Sequence, residues 1–319
     1  MRKLNWGIMG YARIAKNSII PAIMKHEGSV LYAVASRSKR IAMQAQADFG
    51  FEKVFTSYQA LLEDPLVDVV YIPLPNALHK EWAIRAMQAG KNVLCEKPMA
   101  MNRAEAGELV STARRCNVFL MEAFMYRFSD RLAVLERLLA EKVIGDIRSI
   151  HSSYRFVLNR ENTIKENPEL GGGSLYDVGC YPVSIINLVM KAQPVDIKTL
   201  RNINANGVDV SIHAILRYAD GRMAHVDAGF DSISSKCTEI SGTLGAITVP
   251  ETFVDSDLPI ALTLAGNPKP TEYPVFAGNR YLAQIDAVYN AIVSGKKELL
   301  DLEWSTANAG LLDRIFRAG

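Results

Sequence analysis

The chain has 319 residues, more than one hydrophobic core usually supports, which predicts two domains. Hydrophobic residues make up 49% and charged residues 22%, which excludes a disordered or fibrous protein. The formal net charge of +2 is too small to favour nucleic acid or an anionic membrane surface as a partner.

Residues 1–122 alternate short apolar segments with helical patterns. A helix ending in Gly50 has the glycine that a helix C-terminus favours. Continuous apolar strands alternating with helices are typical of a parallel sheet covered on both faces, so we predict a dinucleotide-binding Rossmann domain (α/β, doubly wound) over residues 1–122. Its strands are predicted in KLNWGIMG, SVLYAVASRS, VDVVYIPLP, NVLCEKP and the start of VFLMEAFMYRF.

Residues 123–319 change in character. A helix is predicted to close at Gly145 and another to cover YPVSIINLVMK, while most other segments have strand length and often alternate with period 2. We expect an α+β domain with a large, mostly antiparallel open sheet for substrate binding and oligomerisation, and a C-terminal helix that is a candidate to pack on the first domain. The predicted strands are RSIHSSYRFVL, DIKTLRNIN, DVSIHAILRYADGRMAHVDAGF, KCTEISGTLGAITV and PIALTLAG.

The four cysteines form no C-x-x-C pair, and no histidine lies at zinc-ligand spacing from them. We therefore expect no metal and four reduced thiols in a cytoplasmic protein. The N-terminus lacks the apolar region of a signal peptide, and no apolar run is long enough to span a bilayer.

The turn after the first strand carries a dinucleotide fingerprint. G-x-G-x-x-G/A matches Gly10-x-Ala12-x-x-Ala15, with alanine in place of the middle glycine, whose methyl group is expected to shift the phosphates slightly. Backbone N–H groups at a helix start favour phosphate. The predicted cofactor contacts along this turn are Gly10, Tyr11, Ala12, Arg13 and Ile14.

The end of the second strand indicates which cofactor is used. NAD-binding proteins usually place a carboxylate there for the adenosine ribose, whereas this chain has Ser36, Arg37 and Arg40 and no acid. A hydroxyl and guanidinium groups suit a 2′-phosphate. We predict NADP(H) rather than NAD(H), the alternative being a solvated basic loop.

Ligands of such sheets sit outside the carboxyl ends of the strands. Two segments there carry polar groups. His79 and Lys97 also allow purely structural interpretations: His79 could cap or pack its own helix, and Lys97 could be a solvated lysine in a turn. Pro98 restricts Lys97 to an extended backbone. The residues assigned to the cofactor on these segments are Leu74, Pro75, Asn76, His79, Glu96 and Lys97.

Four segments, GIMGYARIA, LPNALHKEWAIRAMQAGKNVLCEKPMA, MEAFMYRF and GGGSLYDVGCYPVS, resemble the glucose–fructose oxidoreductase / inositol dehydrogenase / rhizopine-catabolism (Gfo/Idh/MocA) family. The resemblance covers roughly the first 190 residues in order. MEAFMYRF is most similar to the branch of NADP-dependent sugar (xylose) dehydrogenases and dimeric dihydrodiol dehydrogenases.

The resemblance implies roles for individual residues. Lys97 matches the family's E-K-P lysine at the nicotinamide; Asp177 would bind substrate hydroxyls and Tyr181 would transfer the proton. A phenol has a pKa of about 10, and a nearby ammonium favours the phenolate. Asp177 could instead cap a helix and Tyr181 could be a buried aromatic. Tyr126, Arg127 and Tyr154 are further candidates to line a sugar pocket, with surface or core roles left open, and Gly171–Gly173 is expected to permit a tight backbone.

The predicted function is an NADP(H)-dependent dehydrogenase or reductase that moves a hydride between nicotinamide and a carbon of a sugar, polyol or related diol. Two alternatives stay open: trans-dihydrodiol dehydrogenase activity, and a non-catalytic NADP-binding regulator of the same fold. The resemblance also implies a homodimer, or a tetramer, formed through the open sheet.

Overall fold

The computed structural model describes residues 2–159 and 163–319, which form two compact units. Unit 1 comprises 1–100, 104–124 and 281–306; unit 2 comprises 101–103, 125–280 and 307–319. The domain boundary at residue 122 stays a prediction. Among the described residues, no helix has both the length and the apolar character needed to cross a bilayer.

Unit 1 contains a six-stranded parallel sheet in the order β3-β2-β1-β4-β5-β6. This doubly wound order confirms the predicted Rossmann fold and places its switch point between β1 and β4. The strands are β1 (Leu4–Met9), β2 (Ser29–Ala35), β3 (Lys53–Phe55), β4 (Val69–Ile72), β5 (Asn92–Cys95) and β6 (Leu120–Glu122). The helices are α1 (Ile20–Lys25), preceded by a π-helical turn at Ala15–Ile19, α2 (Lys39–Phe49), α3 (Tyr58–Glu63), α4 (His79–Gln88) and α5 (Arg103–Cys116, whose first residue is in unit 2).

Local sequence explains these elements. Every residue of the inner strand β4 is buried, as expected for a strand covered on both faces, and so is every residue of the edge strand β6. Ser38 and Ser57 begin α2 and α3, and each side chain accepts a hydrogen bond from a backbone N–H three residues on. Gly50 ends α2 in the left-handed conformation, as predicted.

Unit 2 is built on an eight-stranded sheet in the order β14-β13-β12-β11-β7-β10-β9-β8. All neighbouring pairs are antiparallel except β7 and β10, which confirms the mostly antiparallel sheet. Helix α7 packs against β7 and β10. The elements are α6 (Asp130–Ala140), β7 (Ile147–Arg155), α7 (Cys180–Met190), β8 (Asp196–Ile203), β9 (Asp209–Arg217), β10 (Met223–Gly229), β11 (Thr238–Gly242), β12 (Gly245–Val249), β13 (Ile260–Leu264) and β14 (Asn267–Tyr273).

Two sequence predictions in this unit were wrong in detail. Helix α6 ends at Ala140 rather than at Gly145, because Lys142 adopts a positive φ of 53° and Val143 N–H turns back to bond Leu138 O. Strand β14 was missed, since the prolines in NPKPTEY argue against a central strand; it lies at the sheet edge, where proline is tolerated.

Two helices close the chain, α8 (Arg280–Val293) and α9 (Leu302–Arg317). Most of α8 and the first turns of α9 belong to unit 1, and the rest of α9 belongs to unit 2. In unit 1, Tyr289 of α8 donates a hydrogen bond to Arg2 O at 2.7 Å, and its ring lies where any side chain at Gly28 would have to go. The contact explains why β2 is preceded by glycine.

Candidate active site

The turn between β1 and α1 is shaped to admit a phosphate. Gly10 has φ +97° and its N–H donates to Ala35 O at 2.8 Å, so the turn stays beside the end of β2. A Cβ at Gly10 would lie 3.1 Å from the Leu74 side chain, so only glycine leaves this cradle open. Ala12, Arg13 and Ile14 continue the turn into the helix, with Arg13 exposed.

Tyr11 is anchored to α2. Its hydroxyl donates to Asp48 at 2.5 Å, and Lys16 Nζ lies 2.6 Å from the same carboxylate oxygen. Burial raises the pKa of Tyr11 to about 12, with Asp48 adding to the shift, so the phenol stays protonated. Its ring packs edge-on against Phe49. These contacts of Tyr11 with α2 hold the turn after β1 in place.

The end of β2 presents a cationic surface next to Gly10. Ser36 is buried, and its hydroxyl accepts a hydrogen bond from Ser38 N–H at 3.3 Å. Arg37 and Arg40 are exposed. A buried hydroxyl beside exposed guanidinium groups is a donor set that fits a phosphate on the adenosine ribose.

His79 connects the loops that follow β4 and β5. It is fully buried, and its ring nitrogens lie 2.8 Å from Leu74 O and 2.8 Å from Pro98 O. Burial, the largest effect, lowers the pKa of His79 to about 4, and the Lys97 ammonium adds to the shift. A neutral imidazole donates only one of these two bonds. The histidine holds the Leu74–Asn76 loop against the loop that carries Lys97.

The Glu96–Lys97 pair occupies the carboxyl end of β5. Tyr71 donates a hydrogen bond to Glu96 Oε1 at 2.6 Å, and Lys97 N–H donates to Glu96 Oε2 at 3.3 Å. The Lys97–Pro98 peptide bond is cis. Glu96 is therefore held by the Tyr71 hydroxyl of the neighbouring strand β4 and by the backbone N–H of Lys97.

Sequence reasoning missed Glu122, which ends β6 directly beside Cys95 of β5. Its carboxyl group is buried and accepts a hydrogen bond from Met99 N–H at 2.9 Å. Burial raises the pKa of Glu122 to about 7, Glu96 adds to the rise, and Met99 N–H and the Lys97 charge oppose it. The signal for this residue is an acid within an apolar run at the carboxyl end of a strand.

In unit 2, Asp177 and Tyr181 lie on successive helical turns. Asp177 belongs to a π-helical turn (Leu175–Gly179), and Tyr181 is the second residue of α7. Four residues apart, they share one helix face. The turn itself is held by a buried acid that the sequence did not single out. The Asp209 carboxylate accepts hydrogen bonds from the Ser174 hydroxyl at 2.6 Å and from Leu175 N–H at 2.8 Å.

The Asp177 carboxylate forms a close ion pair with Lys165, which lies in a short 3₁₀ turn (Ile164–Glu166) that no sequence pattern singled out. The Lys165 ammonium also lies 5.4 Å from the centre of the Phe156 ring and 5.7 Å from that of Phe230. Asp177 and Lys165 are both partly exposed, so the pair is open to a ligand.

Tyr181 lies within an aromatic cluster. Its ring centre is 5.1 Å from that of Tyr154, 5.4 Å from Phe253 and 6.2 Å from Tyr126, and its hydroxyl donates to Met125 Sδ at 3.4 Å. Tyr126 is fully buried and its hydroxyl is 2.8 Å from Ser184 Oγ. Tyr154 and Tyr126 thus contact Tyr181 directly.

The remaining predictions for unit 2 concern Arg127 and the glycine run at 171–173. Arg127 follows Tyr126 in a short 3₁₀ turn and lies 3.5 Å from Glu136. The glycine run packs tightly: a Cβ at Gly172 would lie 2.6 Å from Lys165 O and 2.8 Å from Asn167 O. Gly173 donates to Lys165 O at 2.8 Å. The glycines permit a close backbone approach that fixes the Lys165 loop.

A Rossmann unit with a phosphate turn, together with a second unit bearing an acid and a phenol on one helix face, defines a nucleotide-dependent oxidoreductase. A model of an oxidoreductase family with an NAD-binding Rossmann fold, Gfo/Idh/MocA, matches residues 4–124, and the model of that family's C-terminal domain matches residues 132–248. The chain belongs to this family, which confirms the resemblance inferred from its motifs.

Three known proteins illustrate the relationship. D-xylose 1-dehydrogenase (NADP(+)) 2 of Haloferax volcanii is 32% identical, over 98% of this chain and 96% of its own length. Trans-1,2-dihydrobenzene-1,2-diol dehydrogenase of Xenopus tropicalis is 33% identical, over 98% and 97%. The crystal structure of KijD10, a 3-ketoreductase from Actinomadura kijaniata in complex with NADP and TDP-benzene, superposes with a TM-score of 0.90 at 29% identity, covering 99% and 98%.

Proposed function

We propose that the protein is an NADP(H)-dependent oxidoreductase that interconverts a hydroxyl and a carbonyl group on a sugar, polyol or related diol. The observation that carries this proposal is that the chain belongs to an oxidoreductase family and its sequence has Lys97, Asp177 and Tyr181 at the motif positions. The NADP-dependent xylose dehydrogenase and the NADP complex of KijD10 support the choice of cofactor.

The residues present fit the cofactor. The open cradle at Gly10 and the start of the following helix would take the pyrophosphate. Ser36, Arg37 and Arg40 would take the 2′-phosphate, and the Leu74–Asn76 loop and Glu96 would line the nicotinamide half. His79, whose nitrogens both face backbone carbonyls, would act by positioning these loops. When bound, the nicotinamide supplies or accepts the hydride.

The protein's own residues would handle the proton and the charge. In oxidation, Tyr181, ionised to the phenolate, would take the proton of the alcohol while the Lys97 ammonium would stabilise the negative charge that develops on oxygen. In reduction, Lys97 polarises the carbonyl and Tyr181 donates the proton. Asp177 accepts hydrogen bonds from substrate hydroxyls. Tyr126, Arg127 and Tyr154 would complete the walls of the substrate site.

Trans-dihydrodiols of aromatic rings are a second candidate substrate class. Tyr154 is partly exposed and lies beside Tyr181, so its ring would offer a face to a flat substrate. The relative from Xenopus tropicalis that acts on a dihydrobenzene diol supports this candidate. A substrate panel must therefore contain both aldoses and trans-dihydrodiols.

The test is a reduction screen with NADP+ and NAD+ over aldoses, inositols and trans-dihydrodiols, followed by two variants. Lys97→Met and Tyr181→Phe should each lower kcat by about 10²–10⁴-fold. Lys25→Met, an exposed lysine of α1, and Tyr218→Phe, whose buried hydroxyl has no hydrogen-bond partner among the described residues, are matched controls. Unchanged turnover in the first two variants would refute the mechanism; NADPH binding without turnover on any substrate would favour a regulator.

We also propose a homodimer formed through the open face of the eight-stranded sheet. The face turned away from α7 carries exposed Leu200 and Ile215, which are 80% and 51% accessible. His213 lies opposite Leu200 and His225 lies opposite Ile215, so these side chains share one face. Exposed apolar groups that are contiguous on a sheet mark an interaction surface.

A further inference from the structure

In unit 2, both partners of the ion pair between Lys165 and Asp177 are held in place by other residues. Asp177 is held by the helical turn that Asp209 anchors. Lys165 is held by its backbone, since its carbonyl accepts from Gly173 N–H at 2.8 Å and Gly172 leaves no room for a Cβ beside it. A lysine that merely neutralised a surface acid would not need this constraint.

The two aromatic rings beside Lys165 limit where its ammonium can go. Phe156 and Phe230 contact each other edge-on with centres 5.3 Å apart, and the ammonium lies over both. Cation–π attraction of this kind favours one position of an otherwise flexible side chain. The ammonium has three N–H donors, of which Asp177 accepts one.

We propose that Lys165 and Asp177 together form a clamp for two neighbouring hydroxyl groups of the substrate. Asp177 accepts a hydrogen bond from one hydroxyl, and Lys165 donates to the oxygen of the hydroxyl on the adjacent carbon. The inference rests on the proposed function, in which Asp177 faces the substrate, and it adds Lys165 as a specificity-determining residue.

The charges of the pair also select against ionised substrates. The Lys165 charge is offset by Asp177 within the same contact, so an anionic group brought to the ammonium would meet the carboxylate as well. A hydrogen bond to a charged partner is stronger than one between neutral groups, and a hydroxyl obtains it without adding a charge. The substrate class is therefore a neutral vicinal diol, as in an unphosphorylated sugar or polyol.

The experiment measures binding rather than turnover. D-Xylose and its 2-deoxy, 3-deoxy and 4-deoxy analogues are titrated by calorimetry into the full-length protein with NADPH present, which cannot accept a hydride from the sugar, for the wild type, Lys165→Met and Lys165→Arg. Lys269→Met, an exposed lysine on edge strand β14, is the control for loss of a positive charge. Thermal melting verifies that each variant is folded.

The clamp predicts that the wild type binds at least one deoxy analogue about tenfold or more weaker than D-xylose. Lys165→Met should bind D-xylose weaker by a similar factor and no longer distinguish it from that analogue, while Lys165→Arg restores part of the discrimination and Lys269→Met keeps all of it.

Three results would overturn the clamp: equal binding of all four sugars by the wild type, full discrimination in Lys165→Met, or an equal loss for every sugar in that variant. If discrimination follows the prediction but no sugar reduces NADP+, the clamp stands and the proposed catalytic function fails.

Discussion

Arg37 is the residue on which the choice between the two nicotinamide cofactors depends most directly. It is exposed and follows the buried Ser36 at the end of β2, beside the phosphate turn. Replacing it with alanine should raise the KM for NADP+ by about 10-fold or more, because a charge-assisted hydrogen bond to the 2′-phosphate is lost. The KM for NAD+, which has no such phosphate, should stay the same.

Steady-state kinetics with both cofactors measure this difference. Arg85→Ala is the matched control, since Arg85 is an exposed arginine on α4 of the same unit that pairs with Glu81. An equal loss with NADP+ and NAD+ would show that Arg37 supports the loop rather than the phosphate, and a strong NAD+ preference of the wild type would contradict the cofactor assignment outright.

The residues of the candidate site differ in how far sequence could predict them. The family resemblance identifies Asp177 and Tyr181, but the sequence predicts a helix only from Tyr181 on. The π-helical turn that brings Asp177 onto the same helix face is visible only in the structure. Lys165 comes from a loop without periodicity, and its meeting with Asp177 depends on two glycine contacts that are only visible in three dimensions. Tertiary contacts of this kind leave no local signal.

At the scale of elements, the glycine run after the Lys165 loop determines the shape of the site. Gly172→Ala would place a methyl group 2.6 Å from Lys165 O and 2.8 Å from Asn167 O, both rigid backbone atoms. The loop must then move away from the helical turn, and sugar binding should weaken about tenfold or more while NADPH binding stays unchanged.

Calorimetric titration of D-xylose and fluorescence titration of NADPH separate these effects. Gly107→Ala in α5 is the control, because nothing lies within 4 Å of that position and alanine suits a helix interior better by about 0.5–1 kcal/mol. Unaltered sugar binding in Gly172→Ala would show that the loop position does not matter to the ligand.

The ends of β5 and β6 predict a pH dependence of the stability of unit 1. Glu122 has a folded-state pKa of about 7 against an ordinary 4.5, so the folded protein holds a proton that the unfolded chain has released. Glu122 therefore contributes at most about 3 kcal/mol to the free energy of unfolding. This contribution is fully present below pH 4.5 and is lost as the pH rises through 7.

His79 acts in the opposite direction. Its pKa falls from 6.5 to about 4, so its contribution is present above pH 6.5 and is lost as the pH falls towards 4. The two effects oppose each other between pH 4.5 and 6.5, and above that range only Glu122 remains. Glu122→Gln keeps an acceptor for Met99 N–H and should therefore reduce the loss of stability between pH 6.5 and 8.

Urea unfolding followed by tryptophan fluorescence tests this, because Trp6, Trp82 and Trp304, the chain's three tryptophans, all belong to unit 1. Glu52→Gln, an exposed acid of the same unit, is the control. Parallel pH profiles of the wild type and Glu122→Gln would show that Glu122 is already ionised in the folded protein at pH 6.5.

At the scale of the whole molecule, the sequence was enough for the architecture of both units. The continuous apolar strands of unit 1 have one common arrangement, and the observed strand order agrees with it. The order of the eight-stranded sheet could not be predicted, because β7 pairs with β10 and β11, strands that are distant in the chain. Alternating patterns identify the buried face of a strand but not its neighbours.

The open face of that sheet carries the last prediction, which concerns self-association. The outward residues include Ile215 of β9 and the stacked imidazoles of His225 on β10 and His151 on β7, whose ring centres are 4.6 Å apart. Ile215→Glu should convert the proposed homodimer to a monomer, because an interface on this face would have to bury a new carboxylate from each copy.

Light scattering coupled to size-exclusion chromatography measures the mass of each form. Val293→Glu changes an apolar residue of similar exposure on α8 in unit 1, and that variant should stay dimeric. If Ile215→Glu keeps the mass of the wild type while Val293→Glu halves it, the interface lies on unit 1. A monomeric wild type would contradict the proposed homodimer. It would show that the apolar side chains on the exposed face of the sheet remain in contact with water.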